Sequence, residues 1–432
     1  MQNCRKWLVL SFFTDIDGLA CSQHVDDRLI SLREHGIEPI VISSACSPKS
    51  TDYLKRRTHC FAPSGLRFEL RYSTMRRFPS KTVRKIVQIP GLIVLLPAYL
   101  LESIAYRMDS TWSWWLTAYR AAVKEARAND VELIYSTGGP SSAHLAACLT
   151  AQQTGLPWIA EYQDPIVGPW INRSAAEVSF HRNLEERVAR NADGIVFMTK
   201  TALAEGEKRN PSQGKGHLIR PGAVRPGIGP RQVRRQELVL GHFGSLSGNR
   251  DIVPVLKAMT LLVESVPSAR ERFRLLVMGS VGSRQESALR AYPYPDMIEM
   301  SGKRSRQESL VAMSNCDMLL LLQDCSEVSA VTIPSKVYEY MLSAVPILGL
   351  TYDNPELDGM LLELGHSVAG ARDAAAIAEI LRDAFAKWSA GLPIYPSVFP
   401  VPYSTEQAAG QLIDIADDIL RTREHKRGQA CG

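Results

Sequence analysis

The sequence predicts an α/β protein with two open parallel sheets, each surrounded by its own helices. Three observations support this fold class. The chain has 432 residues, which is long for one hydrophobic core. Short apolar runs alternate with amphipathic stretches, as in strand-helix-strand units, and the alternation recurs in both halves of the chain.

The predicted strands are the short apolar runs. In the first half they are 7–13, 39–43, 133–136, 158–161 and 194–198; in the second half they are 238–243, 274–278, 297–301, 318–322 and 346–350. The clearest helical stretches are 22–35, 141–154, 175–191 and 252–263. The first apolar run follows basic residues, as in a signal peptide. It lacks a small-residue cleavage site, so we interpret it as a buried strand.

A segment rich in proline and glycine separates the two halves. Residues 220–230 read RPGAVRPGIGP, which suits neither helix nor strand. The sequence therefore predicts a first domain over 1–222, a hinge over 223–236 and a second domain over 237–395. The remaining residues, 396–432, have apolar positions at helical spacing and are predicted to form a terminal helix. A ligand is expected in the cleft between the two sheets, beyond the carboxyl ends of their strands.

Composition narrows the class of protein. Hydrophobic residues make up 45% of the chain and charged residues 22%, which excludes wholesale disorder. The eight cysteines form no CxxC pair and have no histidine at zinc-finger spacing. The sequence therefore predicts neither a disulfide scaffold nor a metal finger, and it favours a reduced, cytoplasmic setting.

An insert over about 49–110 departs from the alternation. Residues 51–85 form a basic patch, with ten Lys and Arg residues against Asp52 and Glu69. An apolar run follows over 86–101, interrupted by two prolines and a glycine. One interpretation is a segment that lies in a membrane interface. The other is an ordinary core helix preceded by a solvated basic loop. The insert contains no nucleic-acid recognition motif, so no nucleic-acid partner is predicted.

Two stretches of the second half suit an anion. In GHFGSLSGNRD, residues 241–251, a glycine-rich turn with Gly244 and Ser245 joins a strand to a helix, where backbone N–H groups and Arg250 could bind phosphate. The same turn could also be a tight connection without a ligand.

The second stretch is TIPSKVYEYMLSAVPILGL, residues 332–350, where proline begins a helix ahead of a strand. Ser335 and Lys336 lie at the helix start, and Glu339 one turn later could accept hydrogen bonds from a vicinal diol. The alternative is a solvent-facing Lys–Glu pair. Tyr340 and Ser343 share this face and have no assigned ligand.

The ordered motifs of the second half resemble the donor-binding domain of family-4 retaining glycosyltransferases of the GT-B fold. They include GHFGSLSGNRDIVPVLKAM, RLLVMGS, MIEMSGKRSRQESLVAMSNCDMLLLL and PSKVYEYMLSAVPILG. The first half resembles the acceptor domain of that family through HVDDRLISLREHGIEPIVIS, DVELIYSTGGPSSAHLAACLTAQQTGLPWIAEYQDPIVGP and RNLEERVARNADGIVFMT. The resemblance covers about nine-tenths of the chain and is weakest over the insert.

The resemblance implies a nucleotide-diphosphate sugar as the donor and no separate cofactor or metal. Glu339 would bind the ribose, and the base would lie near Gly302 and Lys303. The diphosphate would contact the Ser335–Lys336 helix start, the Gly244–Ser245 turn and Arg250. In the family the terminal helix returns to the first domain.

On the acceptor side, Asp164 in Glu-Tyr-Gln-Asp-Pro follows a strand and is predicted to bind a sugar or acceptor hydroxyl, or else to be a structural turn residue. Many relatives have arginine where this chain has Gln163. Gly138 and Gly139 follow another strand and could line the acceptor, as could Gly18 in the loop after the first strand.

The pair Asp15 and Asp17 resembles the metal-binding DxD of another glycosyltransferase fold. The pair follows a strand of the acceptor half, whereas a donor metal should lie beside the diphosphate. A turn and helix-cap role is therefore favoured.

The chain also departs from the family. Members often have two glutamates eight residues apart, and here the first position is Val331; Glu327 lies four residues too early. A second phosphate-binding lysine is not evident near Arg250. The main hypothesis is a peripheral enzyme on the inner face of the cell membrane that transfers sugar to a lipid-linked or polysaccharide acceptor. The alternatives are a non-catalytic scaffold of a polysaccharide-assembly complex and a sugar-nucleotide epimerase.

Overall fold

The computed structural model describes residues 5–16, 18–50, 52–106, 108–169, 173–225, 236–394 and 401–430. The chain forms two compact units. The first comprises residues 1–220 and 405–432, and the second comprises residues 221–404.

The described residues of the first unit form a seven-stranded parallel sheet in the order β3-β2-β1-β4-β5-β6-β7. The strands are β1 (Arg5–Leu10), β2 (Ile37–Ser44), β3 (Lys55–Thr58), β4 (Leu133–Thr137), β5 (Trp158–Tyr162), β6 (Gly194–Phe197) and β7 (Gly216–Leu218). The helices are α1 (Ala20–Glu34), α2 (Pro63–Arg77), α3 (Lys81–Val94), α4 (Leu96–Ala105), α5 (Trp114–Ala128), α6 (Ser142–Thr154), α7 (Ala175–Asn191) and α8 (Lys200–Arg209).

The described residues of the second unit form a six-stranded parallel sheet in the order β10-β9-β8-β11-β12-β13. The strands are β8 (Leu238–Phe243), β9 (Phe273–Met278), β10 (Ile298–Gly302), β11 (Met318–Leu322), β12 (Ile347–Thr351) and β13 (Ser367–Gly370). The helices are α9 (Val253–Ser265), α10 (Ala269–Arg272), α11 (Ser283–Arg290), α12 (Arg306–Ser314), α13 (Lys336–Leu342), α14 (Pro355–Glu363) and α15 (Ala374–Ser389), with 3₁₀ turns at Pro295–Met297 and Glu327–Val331. The last helix of the chain, α16 (Thr405–Ala430), belongs to the first unit and lies against α1 and β6.

Each sheet is covered on both faces, which explains its continuous apolar strands. Successive residues of a strand point to opposite faces. In β1, Leu8 and Leu10 join one buried cluster, while Trp7 and Val9 join another that includes residues of α1 and α16. In β8, Leu238 and Leu240 likewise face one cluster and Val239 the other.

The α/β class with two parallel sheets, predicted from the alternation of apolar runs, is confirmed. The ten predicted strands coincide with β1, β2, β4, β5, β6 and β8 to β12. β1 ends earlier than predicted because the apolar run continues into Phe12, which is buried after the strand has ended. The short strands β3, β7 and β13 were not predicted. All three lie outside the buried centre of their sheets, so they lack the long apolar runs that mark central strands.

Most of the predicted hinge, residues 226–235, lies outside the described residues, and so does Asp17. The insert over 49–110 contains β3 and the helices α2, α3 and α4. The three basic residues of β3 already have partners. Lys55 contacts Asp15, Arg56 contacts Glu125, and Arg57 donates to the Ser47 carbonyl. Three of the ten basic residues in the basic patch are therefore engaged within the protein.

Because three of its histidines are buried, the protein should lose folding stability at mildly acidic pH. Burial lowers the pKa of His144 to about 3 and the pKa values of His242 and His366 to about 4. The unfolded chain therefore binds more protons than the folded chain below about pH 6.5. Each histidine should cost about 2 kcal/mol of unfolding free energy by pH 5, and Asp26, with its pKa raised to about 6, opposes part of this loss.

Urea unfolding at pH 7 and pH 5 should show this loss, and His366→Gln should reduce it. The exposed His35, changed in the same way, is the matched control and should leave the pH dependence as it is. An equal pH dependence in the wild type and in His366→Gln would contradict the assignment.

Candidate functional site

The second sheet reverses its strand order between β8 and β11, which are hydrogen-bonded neighbours. In open parallel sheets, ligands bind beyond the carboxyl ends of the strands at such a reversal. The residues that follow β8 are Gly244 and Ser245, and the loop after β11 leads to α13 with Lys336 and Glu339. The topology therefore brings both predicted anion-binding stretches to one place.

Gly244 of the first stretch lies against Lys336 of the second. It has φ +115°, a conformation that favours glycine, and a Cβ at this position would overlap the side chain of Lys336. On the other side, a Cβ on Gly279 would overlap the backbone of Gly244. Lys336 and the backbone around residue 279 can both lie against Gly244 because Gly244 and Gly279 have no side chains.

Helix α13 is fixed to the end of β8 by a buried hydrogen bond. The Phe243 N–H donates to the Tyr340 hydroxyl at 2.9 Å. Ser343 donates to the Tyr340 carbonyl at 2.7 Å, at the end of the helix. The two hydroxyls that shared the predicted face therefore have structural partners, and they hold the helix in the position that directs Lys336 to Gly244.

Two cations converge on the end of β8. Burial lowers the pKa of His242, and the positive charges of Lys336 and Arg250 lower it as well. His242 Nδ1 lies 3.1 Å from the Leu320 carbonyl oxygen, which can only accept, so Nδ1 carries the hydrogen and donates it. Burial also lowers the pKa of Lys336 itself, against the opposing carboxylate of Glu339. An anion bound here would meet an ammonium group that is poorly solvated.

Glu339 is almost fully buried and pairs with Arg306, with Nε of the arginine 3.0 Å from Oε1 of the carboxylate. Sequence reasoning missed Arg306. The sequence signal for it was only the basic character of the GKRSRQES segment. This segment begins at Gly302 and Lys303, where the nucleobase was predicted to lie. The positive charge of Arg306 also lowers the pKa of Lys336. Lys336, Glu339 and Arg306 therefore form one charged cluster with net positive charge.

The remaining residues predicted for the donor side follow strands of the same sheet or precede α13. Ser245 is exposed in the turn, and its hydroxyl is 2.8 Å from that of Ser247. Ser335 precedes α13 and accepts at its carbonyl from the Tyr338 N–H. Lys303 is exposed directly after β10, and the neighbouring Gly302 carbonyl accepts from the Gly279 N–H at 2.9 Å. These positions share the carboxyl edge of the second sheet.

The loop between β8 and α9 is held to the end of β11. The Asn249 N–H and side-chain amide donate to Asp324 at 3.2 and 3.3 Å, and the Cys325 N–H donates to the Asn249 carbonyl. Val331, the position where the family often has glutamate, ends the short 3₁₀ turn, and Glu327 begins it and is exposed. No carboxylate stands at the Val331 position.

Gly244→Ala should weaken nucleotide binding by about tenfold or more, because the new Cβ requires Lys336 to move. The strain at φ +115° should also lower the unfolding free energy by roughly 1 to 3 kcal/mol. Calorimetric titration with nucleoside diphosphates and urea unfolding measure the two effects.

Gly359→Ala is the matched control, because a Cβ there meets nothing within 4 Å and the residue lies in α14. That variant should bind nucleotide like the wild type and gain up to about 1 kcal/mol. Equal behaviour of the two variants would contradict the role of Gly244.

The first sheet has its own order reversal, between β1 and β4, where several predicted acceptor residues gather. Gly138 follows β4 with φ +118°, and a Cβ there would lie 3.0 Å from the Ser11 hydroxyl. A Cβ on Gly139 would lie 3.9 Å from Cys21. Gly18 is exposed, with φ +75°, in the loop after β1.

Asp164 lies beside the same edge. Gln163 donates to the Cys21 carbonyl at 3.2 Å and to Thr137 at 3.3 Å. Asp164 is exposed to solvent, yet the dense protein around it raises the pKa of its carboxyl, and its charge adds to the burial that raises the pKa of Cys21 to about 11. The carboxylate is therefore accessible for a hydroxyl donor.

Asp15 is an ion-pair residue. Its Oδ2 accepts from Lys55 at 2.6 Å and from the Tyr53 hydroxyl at 2.9 Å. The helix-cap prediction is wrong for this residue, because α1 begins after Leu19 and no side chain caps it.

A separate group, Asp109, Glu177 and His181, has ligand atoms within 4.8 Å of one another, as a metal site would. The contacts of this group are structural. His181 Nδ1 lies 2.7 Å from the Glu177 carbonyl and Nε2 lies 3.1 Å from the Ser141 hydroxyl, and Arg173 lies 3.7 Å from the Glu177 carboxylate. Both ring nitrogens and the carboxylate are thus already engaged.

No known protein family and no curated protein sequence matches the chain. Solved structures match its fold. Anabaena HepE in complex with UDP has a TM-score of 0.59 at 12% identity, covering 98% of this chain and 100% of HepE. AviGT4, a glycosyltransferase involved in avilamycin A biosynthesis, has a TM-score of 0.54 at 12% identity, covering 96% and 98%.

The N-terminal domain of Candida albicans trehalose-6-phosphate phosphatase has a TM-score of 0.59 at 11% identity, covering 96% and 97%. Identities this low establish the fold alone. The chain therefore has the GT-B fold, with two Rossmann-like parallel sheets, along nearly its whole length.

Proposed function

We propose that the protein is a family-4-like retaining glycosyltransferase that uses a nucleotide-diphosphate sugar without a metal ion. The observation that carries the proposal is the convergence of Gly244, Lys336 and Glu339 at the order reversal of the second sheet. HepE, which shares the fold, was solved with UDP and with UDP-glucose. These ligands support a uridine diphosphate sugar as the first donor to test.

The charges of the site suit a departing diphosphate. As the glycosidic bond breaks, negative charge grows on the leaving phosphate, and fixed cations that already face it stabilise that change. Lys336 and Arg250 supply the cations, and the glycine-rich turn after β8 supplies backbone N–H groups. Glu339 supplies a buried carboxylate that can accept hydrogen bonds from the ribose hydroxyls.

We further propose that the acceptor is a lipid-linked or polysaccharide hydroxyl and that the protein works as a peripheral protein on the inner face of the cell membrane. Asp164, Gly138 and Gly139 are the candidate acceptor residues, since they share the reversal edge of the first sheet. Asp164 would accept a hydrogen bond from an acceptor or sugar hydroxyl.

The test is a calorimetric screen of nucleoside diphosphates, followed by turnover of the matching radiolabelled nucleotide sugar in the presence of membranes and without added metal. Saturable binding of one nucleoside diphosphate, with release of that nucleotide from its sugar, is the expected result. Product analysis would give the anomeric configuration and so test retention. Failure to bind any nucleoside diphosphate would overturn the proposal.

A non-catalytic scaffold is the second candidate, and one observation favours it. Val331 places no carboxylate where the family often has one, and Arg306 holds the remaining glutamate, Glu339. A scaffold with a retained pocket would bind nucleoside diphosphate and release no sugar. The same screen therefore separates the two functions.

A further inference from the structure

Helices α3 and α4 expose an unusual amount of apolar surface. Neither helix has a buried residue, which excludes the ordinary core helix as an interpretation of the apolar run. Half of the exposed large apolar side chains among the described residues lie in these two helices, and the most exposed are Ile104 (79%), Val94 (78%) and Leu101 (70%). An apolar patch of this kind marks an interaction surface.

Helix α3 turns an apolar half outward, which is unusual for a helix on a water-exposed surface. At 3.6 residues per turn, one half of the helix holds only apolar residues, namely Val83, Ile86, Val87, Pro90, Ile93 and Val94. The other half faces α2: Gln88 donates to the Arg71 carbonyl, and a Cβ on Gly91 would lie 2.7 Å from Leu70. Gln88 and Gly91 therefore face the protein and the apolar half faces outward, while Lys81 and Lys85 near the start of the helix are exposed.

Helix α4 is held in the same way. Glu102 accepts from the Ser64 N–H at 2.7 Å and from the Trp112 indole N–H at 2.8 Å, and Arg67 lies 4.6 Å from the centre of the Tyr99 ring. Its outward residues are Leu96, Leu100, Leu101 and Ile104. Within the described part of the chain no single helix is long and apolar enough to cross a membrane; α3 and α4 reach that length and composition only together, bent by 61°. Contacts with α2 hold both helices along the surface of the first unit.

The surroundings of this apolar face are positively charged. Between residues 63 and 105 the only carboxylates are Glu69 and Glu102, and both are used internally: Glu69 accepts from the Cys60 N–H and from His59. Among the described residues, no carboxylate pairs with the exposed basic side chains Arg71, Arg76, Arg77, Lys81 and Lys85. A cationic rim beside an outward apolar face is complementary to anionic headgroups above acyl chains.

We propose that the α3–α4 surface, residues 81–105, docks in the plane of a membrane that contains anionic lipids. The apolar residues of both helices enter the boundary between headgroups and acyl chains, and the basic residues of α2 and the start of α3 contact the headgroups. The use of this docking to reach a lipid-linked acceptor rests on the proposed function. The docking itself requires neither nucleotide nor turnover.

Flotation of the full chain with vesicles tests the proposal. The wild type should bind vesicles of phosphatidylcholine with phosphatidylglycerol more tightly than vesicles of phosphatidylcholine alone, and salt should reduce the difference. Combined Ile86→Glu, Ile93→Glu and Ile104→Glu substitutions should weaken binding to both kinds of vesicle by at least about 100-fold. Combined Arg71→Gln, Lys81→Gln and Lys85→Gln substitutions should remove only the anionic preference, by about fivefold per residue.

The matched control carries the same change at exposed leucines of the second unit, Leu261→Glu, Leu362→Glu and Leu392→Glu. It should float like the wild type. Uridine diphosphate binding, measured on each variant, should be unchanged, so a failed nucleotide titration would count against the proposed function and leave the docking result intact.

Absence of wild-type flotation with both vesicle types would overturn the docking surface. So would a wild type that is dimeric by sedimentation and fails to float while the triple-glutamate variant is monomeric, since the face would then join two copies of the chain. Equal flotation of the wild type and the triple-glutamate variant would also overturn it.

Discussion

Replacing Lys336 by methionine should lower the rate of sugar transfer by roughly 10²- to 10³-fold, which is the effect of removing one fixed group that stabilises developing negative charge. The structure places this ammonium group over Gly244, where burial lowers its pKa and solvent competes little for it. Methionine keeps the length of the side chain and removes the charge. Turnover of the nucleotide sugar under saturating donor measures the effect.

Lys257→Met is the control for this substitution, because Lys257 is exposed on α9 of the same unit. That variant should retain wild-type turnover. Lys336→Met could instead reduce donor affinity and leave the rate at saturating donor unchanged. That result would show that Lys336 binds the donor equally in the ground state and the transition state.

Glu339→Gln should weaken binding of the nucleoside diphosphate by about 10- to 100-fold, because a charged acceptor of ribose hydroxyls contributes roughly 1.5 to 3 kcal/mol. The decisive measurement is the affinity ratio between the ribonucleotide and its 2′-deoxy counterpart. The wild type should prefer the ribonucleotide, and the variant should lose much of that preference. Isothermal titration of uridine diphosphate and 2′-deoxyuridine diphosphate gives both ratios.

Arg306→Met separates the ribose contact from the ion pair. Arg306 donates to Glu339 at 3.0 Å, so its loss removes this ion pair and a positive charge beside Lys336. The preference for the ribonucleotide should persist in Arg306→Met, because Glu339 remains. If Glu339→Gln weakened both nucleotides equally, the glutamate would act only through Arg306 and the ribose assignment would fail.

The central strands could be predicted from sequence because a strand buried on both faces must be apolar along its whole length. Runs such as Met318–Leu322 satisfy that condition without reference to the rest of the chain. β3 could not be recognised, because its residues Lys55, Arg56 and Arg57 are stabilised by partners distant in sequence, Asp15, Glu125 and Ser47. Its basic residues were therefore counted with the rest of the basic patch.

Only some of the candidate donor-binding residues could be predicted from the sequence. Glycine after a strand and Lys-x-x-Glu at a helix start are local patterns, and a motif series in the same order strengthened them. Arg306 is 33 residues from Glu339 and shares no local pattern with it. The partner of Tyr340, the Phe243 backbone, is 97 residues away.

The sequence by itself determined the two-sheet α/β fold, the order of the motifs, and the types of side chain after β8 and at the start of α13. These features depend on local periodicity and composition. Only the tertiary structure decided that Lys336 lies over Gly244, that Glu339 is held by Arg306 and that α3 faces outward with its apolar side. Helical periodicity defines which residues share a face of a helix. The direction of that face depends on contacts with α2, which the pattern of α3 does not contain.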